Sequence, residues 1–238
     1  MIDNAIWHKN PGGMKVRIWA VLVGEYIVMA VILFTTAGTV SWTAGWVFIG
    51  LFAVTVTPMS VSLANHDPQL IEERMKILPQ ENQPIWDRML LALLIVLIGL
   101  WLVVPGFDAI RYGWSAMPFW LRLVGGVGMV ITLWANFTVM RQNSYLAPTV
   151  QVQSERGHTV VTTGAYGLVR HPFYATLSLF FLAGALLLGS WISVMLAFTI
   201  TLVFAWRCVR EEAHLRQNLE GYAAYMEKVR YRLVPHVW

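Results

Sequence analysis

Six apolar stretches dominate the chain, at 16–36, 42–64, 89–104, 119–140, 172–188 and 191–208. Each reaches or approaches the ~20 residues that a helix needs to cross a bilayer. They predict an all-α fold, a polytopic membrane bundle of about six transmembrane helices forming one domain over residues 1–238. Residues 1–140 carry the first four spans; residues 141–238 carry a central loop, a helical hairpin and a C-terminal tail. Polar breaks separate the spans. A short polar leader, 1–14, contains Pro11-Gly12-Gly13 as a breaker, and a tight turn lies at 38–41. The charged segment 66–87 holds Glu72-Glu73-Arg74-Met75-Lys76 among Pro68, Pro79 and Pro84, which predicts a short surface helix. A loop at 108–117 follows the third span, and Gly189-Ser190 alone divides the last two. Gly125-Gly126-Val127-Gly128 lies mid-span with no strand before it, so it reads as a close helix contact rather than a nucleotide loop.

Composition agrees with the pattern. Of 238 residues, 57% are hydrophobic and 13% charged, which excludes an ordinary soluble domain. The net charge of +4 calls for no nucleic-acid partner, because an excess of Lys and Arg is what cytoplasmic membrane loops carry. With six spans, one face collects Lys9, Lys15, Arg17, Arg74, Lys76, Arg88, Arg141, Arg156, Arg170, Arg207, Arg210, Arg216, Lys228, Arg230 and Arg232. The other face receives only Arg111 and Arg122. The positive-inside rule then makes the crowded face, and both termini, cytoplasmic. Lys15 and Arg17 lead directly into a long span, so no cleavable signal is expected. One cysteine, Cys208, forms no intrachain disulfide.

The candidate chemistry gathers at the start of the hairpin. Residues 157–174 are polar and rich in Gly and Thr, then turn apolar after Arg170-His171-Pro172. Pro172 suits the first helical position, which sets Arg170 and His171 beside free N–H groups that attract an anion. The hairpin returns to the same face at 207–212, so two charged clusters distant in sequence share one depth. Arg207 and Glu211, four apart, share a helical face. Tyr166, Tyr174, Tyr222 and Tyr225 offer aromatic walls. A zwitterionic, adenosine-bearing ligand such as S-adenosylmethionine suits this mixture. The same arginines and glutamates also suit a plain interfacial anchor. Glu25, inside the first span, is either functional or paired to a neighbouring helix.

The run His158-Thr159-Val160-Val161-Thr162-Thr163-Gly164-Ala165-Tyr166, then Arg170-His171-Pro172-Phe173-Tyr174, then Glu211-Glu212, Tyr222, Tyr225 and Pro235, resembles the isoprenylcysteine carboxyl methyltransferase family, to which phospholipid methyltransferases are related. The resemblance covers about 151–235. It implies S-adenosylmethionine as cofactor, held by Gln151, His158, Thr159, Val160, Val161, Tyr166, His171, Pro172, Phe173, Tyr174 and Glu211. It also implies that Arg207 meets the carboxylate of a lipophilic acceptor entering from the bilayer. Arg170 and His171 are further catalytic candidates, and the anion beside Arg170, at the helix N-terminus, is expected to belong to the cofactor. A carboxylate needs no base; an amine or thiol needs one, for which His171 or His214 is nearest. Other readings stay open: a phospholipid amine or small-thiol methyltransferase, a membrane NADPH-dependent reductase, or a transporter using Glu25 and Asn136. Clustered multi-His metal signatures are not seen, so no metal is expected.

Overall fold

The computed structural model describes residues 11–75 and 83–238, and these form helices and turns throughout. Six long helices, α1 (Pro11–Ala37), α2 (Thr43–His66), α4 (Ile85–Pro105), α5 (Phe119–Gln142), α6 (Pro172–Leu188) and α7 (Trp191–Asn218), are joined by two short ones, α3 (Pro68–Arg74) and α8 (Tyr222–Lys228). Five helical segments are long and apolar enough to cross a membrane: Val16–Ala37, Thr43–His66, Ile85–Arg111, Phe119–Gln142 and Trp191–Asn218. The sixth expected span, Pro172–Leu188, is apolar but only 17 residues long, about 25 Å at 1.5 Å per residue. Large apolar side chains such as Val54, Met195 and Leu202 face outward, as lipid contact favours and water does not.

Several boundaries differ from the expected ones. Pro11 starts α1 instead of blocking it, because a proline at the first position loses no hydrogen bond. The third span does not end at 104; it continues through Pro105 into a π-helical turn, Gly106–Arg111, so that Asp108 is buried rather than in an outside loop. The last span does not stop at 208. Its continuation is rich in Arg, Glu, Leu and Gln, all good helix formers, and the helix runs on to Asn218, close to the left-handed Gly221. Glu211 and Glu212 therefore belong to α7 and not to the tail. The expected surface helix exists as α3, with Asp67 accepting a hydrogen bond from the Leu70 N–H at 3.0 Å. Lys9, Lys76 and Pro79 lie outside the described residues.

The glycine run packs helices together. A Cβ on Gly125 would stand 2.4 Å from the Leu187 nitrogen and 2.6 Å from the Ala183 oxygen, so α5 and α6 meet backbone to backbone. At the end of the bundle away from the charged cluster, Asp108 accepts from Ser115 (2.6 Å) and from Ser190 (2.5 Å), tying the π-helical turn to the α6–α7 turn. Arg111 donates to the Thr35 carbonyl at the same end. Glu25 is exposed on the outer surface of α1 and among the described residues is not bonded to a neighbouring helix; its neighbour Tyr26 makes that link, to Thr57 at 2.8 Å. Between α4, α5, α6 and α7 the opposite end of the bundle is left open by a cavity.

Candidate functional site

The hairpin brings its two charged clusters together, as its topology requires. Arg170 Nε donates to Glu212 Oε1 at 2.6 Å, and His171 Nε2 lies 3.2 Å from the same oxygen. Arg232 Nε donates to the other oxygen at 2.9 Å. One buried carboxylate thus gathers three cationic side chains from two parts of the chain, the start of α6 and the C-terminal tail. The Arg170 Nη1 also donates to the carbonyls of Val229 (2.7 Å) and Arg230 (2.9 Å).

This changes the expected roles of Arg170 and His171. The backbone N–H of Arg170 donates to the Tyr231 carbonyl and that of His171 to the Arg232 carbonyl, both at 2.9 Å. The C-terminal tail therefore occupies the donors that the sequence offered to a ligand anion, and Arg170 serves Glu212 and the tail. Burial pulls the His171 pKa down, but Cys208, Glu212 and Glu211 outweigh it and push the value up to about 10. A ring held protonated in this way cannot act as a base at neutral pH. His214, the other base candidate, does not line the cavity.

Arg207 is likewise engaged. Its Nε donates to Asp87 Oδ1 at 3.0 Å, its Nη2 bonds the Pro148 carbonyl, and its guanidinium lies 5.7 Å from the Tyr174 ring centroid. Asp87 is fully buried and also accepts from the Val150 N–H at 2.9 Å and from Gln83 at 2.8 Å. The expected free cation is thus neutralised, and the ion pair instead holds the loop at 148–150. Glu211 is different. The Tyr174 hydroxyl donates to its Oε2 at 2.8 Å, and its other oxygen has no protein donor among the described residues.

The loop after α5 is built from local contacts. Asn143 Oδ1 accepts from the Tyr145 N–H, Gln153 donates to the Tyr145 carbonyl, and the Tyr145 ring stacks on His158 with centroids 4.3 Å apart. Nδ1 of His158 accepts from the Gln153 N–H at 3.3 Å, which needs the neutral ring. Burial, then the charge on Arg156, lowers the His158 pKa to about 4. The unfolded value is ~6.5. Above pH ~6.5 both states are neutral and stability is unaffected; from there down to about 4 only the unfolded state takes the proton, so acid weakens the fold. His158→Phe, which keeps the stack and removes the proton site, should flatten thermal stability between pH 7 and 5. The same acid slope in that variant would show that another group sets it.

Around these elements lies a cavity of about 310 Å³, at the lower end of the ~300–1,000 Å³ common for ligand sites. Gln151, His158, Thr159, Val160, Val161, Tyr166, His171, Phe173, Tyr174 and Glu211 all line it, as do Arg170 and Arg207. Pro172 does not; it is buried as the first residue of α6. The walls divide by chemistry. Asn143, Tyr145, Gln151, His158, Thr159, Tyr166, Glu211, Tyr222 and Tyr225 make up a polar arm, and Leu94, Ile98, Leu177, Phe181 and Phe204 an apolar arm inside the bundle. The Tyr166 hydroxyl is buried without a hydrogen-bond partner; Asn143 lies near enough to influence its ionisation, but not in hydrogen-bond geometry. Tyr225 fixes this segment by donating to the Tyr166 carbonyl at 2.7 Å.

Residues 120–221 match the phospholipid methyltransferase family model. The matched segment runs from the first turn of α5 to Gly221, just before α8, and includes both arms of the hairpin and the whole 143–161 loop. No curated protein matches the chain. The phospholipid methyltransferase match supports a methyltransferase activity in a chain whose helices are apolar enough for a membrane.

Some residues central to this site were not singled out by sequence. Glu212 appeared only as the neighbour of Glu211, and Asp87 and Arg74 only within a charged loop. Asp87 did leave a signal, a carboxylate four residues after Gln83 and at the first turn of an otherwise apolar span. Arg74 left none, because a surface helix is expected to carry arginines.

Proposed function

We propose that this chain is an S-adenosylmethionine-dependent membrane methyltransferase acting on a lipophilic acceptor. The observation that carries the reading is the convergence of Gln151, His158–Val161, Tyr166, His171, Phe173, Tyr174 and Glu211, all from the matched segment, on one cavity. The residues present fit the cofactor. Glu211 has an unspent oxygen for an ammonium or ribose hydroxyl, and the Tyr166 hydroxyl is a buried polar group with no hydrogen-bond partner among the described residues. Gln151, His158, Thr159, Val160 and Val161 supply the loop wall, and Pro172 fixes the turn that presents His171, Phe173 and Tyr174. When bound, S-adenosylmethionine supplies a methyl group already activated by its sulfonium. The protein then has to align the acceptor and exclude water. The apolar arm gives a lipophilic acceptor a route from the bilayer, and the polar end of the bundle, with both termini, faces the cytoplasm by the charge argument.

An isoprenylcysteine-like carboxylate is the first choice of acceptor. It needs no base, and neither histidine is placed to serve as one. The family match favours a second reading, a phospholipid amine. That acceptor needs a proton taken away, and Glu211, the carboxylate that lines the cavity, is already given to the cofactor in this reading, which keeps the carboxylate acceptor first.

Calorimetric titration of the purified protein with S-adenosylhomocysteine and with NADPH tests the reading. Binding of the first and not the second is expected. Glu211→Gln should weaken S-adenosylhomocysteine binding roughly ten- to a hundredfold, the effect of losing a charge-assisted contact worth ~1.5–3 kcal/mol. Wild-type affinity in that variant would remove the proposed pocket.

A further inference from the structure

The cavity holds an arginine that none of the roles above uses. Arg74, the last residue of α3, lines it, and its guanidinium lies 4.9 Å from the Phe173 ring centroid. Tyr174 and Tyr166 are close enough to act on its charge. Among the described residues no carboxylate pairs with it. That sets it apart from the other cavity arginines, because Arg170 is bound to Glu212 and Arg207 to Asp87. Burial lowers its pKa to about 10, so the group is still a cation at neutral pH. A desolvated cation without a counter-ion is costly to keep inside a protein. A ligand anion removes that cost.

We propose that Arg74 binds the oxyanion of the methyl acceptor, so that the acceptor is an amphiphile whose head group carries a carboxylate or a phosphodiester. The inference rests on the methyltransferase reading and deepens it. Two observations direct Arg74 to the acceptor rather than to the cofactor. Arg74 lies outside the matched segment 120–221, whereas the loop, Tyr166, the start of α6 and Glu211 lie within it. Leu91, Leu94, Ile95 and Ile98, which line the apolar arm from α4, also lie outside it. The cofactor is what methyltransferases of one family have in common and the acceptor is where they differ. Arg74 and the α4 wall therefore make a matched pair, a cationic head site beside a hydrocarbon channel. Phe173 holds the guanidinium by its ring face, and both side chains line the cavity.

The experiment uses full-length protein in lipid nanodiscs and measures two affinities for wild type, Arg74→Gln and Arg74→Lys. One is for S-adenosylhomocysteine. The other is for three acceptor probes: N-acetyl-S-farnesylcysteine, its methyl ester, and phosphatidylethanolamine supplied in the disc against a diacylglycerol control. Arg74→Gln should leave S-adenosylhomocysteine affinity unchanged, which also shows that the cavity is intact. It should weaken one of the two oxyanion-bearing probes about ten- to a hundredfold and leave the ester and the diacylglycerol unaffected. Arg74→Lys should restore part of the loss. Loss with the farnesylcysteine acid names a carboxylate, and loss with phosphatidylethanolamine names a phosphodiester. Weakened S-adenosylhomocysteine binding with unchanged acceptor affinity would overturn the inference and give Arg74 to the cofactor's carboxylate. Unchanged affinity for every probe would overturn it as well. If wild type fails to bind S-adenosylhomocysteine at all, the methyltransferase reading falls and takes the inference with it.

Discussion

Glu212→Ala is expected to destabilise the protein by about 3–5 kcal/mol, the range for breaking a buried ion pair from one side. The carboxylate is almost fully buried, and Arg170, also buried, is 2.6 Å away. His171 and Arg232 complete the cluster, so the variant leaves three cationic groups without their common anion. The tail carbonyls of Val229 and Arg230 can still receive Arg170, but they carry no formal charge. Thermal unfolding in detergent, followed by circular dichroism, measures the loss against Glu211→Ala. That neighbour is half-buried and its one bond is to Tyr174, so its cost should be well under half as large. Equal losses at 211 and 212 would show that the cluster is not what holds hairpin and tail together.

The second large effect is expected at Asp87. Asp87→Ala strands Arg207 and removes the acceptor of the Val150 N–H, again a loss of about 3–5 kcal/mol. It should reach ligand binding too, because the loop tied down by this pair leads into Gln151. The informative measurement is a cycle with Arg207→Leu. Either single change leaves one buried charge alone, whereas the double variant replaces the pair by apolar groups, which is often close to neutral. The double variant should therefore recover most of the stability lost in either single one. Additive losses would mean that the two side chains act separately and that Arg207 has a partner outside the protein.

How much of this was legible in the sequence differs between bundle and site. The helices were, because hydrophobic length is a one-dimensional signal and a bilayer-sized run leaves few alternatives. The glycine contact at Gly125 was legible for the same reason, since a small residue in mid-span has few roles other than close approach. The polar partners were not. Whether Arg207 faces a substrate or Asp87 depends on a residue 120 positions away, and no local pattern encodes that pairing. The same holds for Arg170, whose sequence context advertises an anion site. Only the folded tail discloses that Tyr231 and Arg232 take up the N–H groups at that turn. Helix ends failed where local rules conflicted. The third span was expected to end at 104, and the chain instead continues through Pro105 into a π-helical turn that sends Asp108 inward.

The tail contacts also set an order of events during synthesis. Every apolar helix precedes residue 219, so the whole bundle can enter a membrane before residues 229–232 leave the ribosome. Until those residues arrive, Arg170 and His171 lack the carbonyls that fix their turn, and Glu212 lacks Arg232. The turn at Arg170 and His171 is therefore the last part of the structure to be fixed, set by the arrival of a four-residue segment rather than by the formation of the helices.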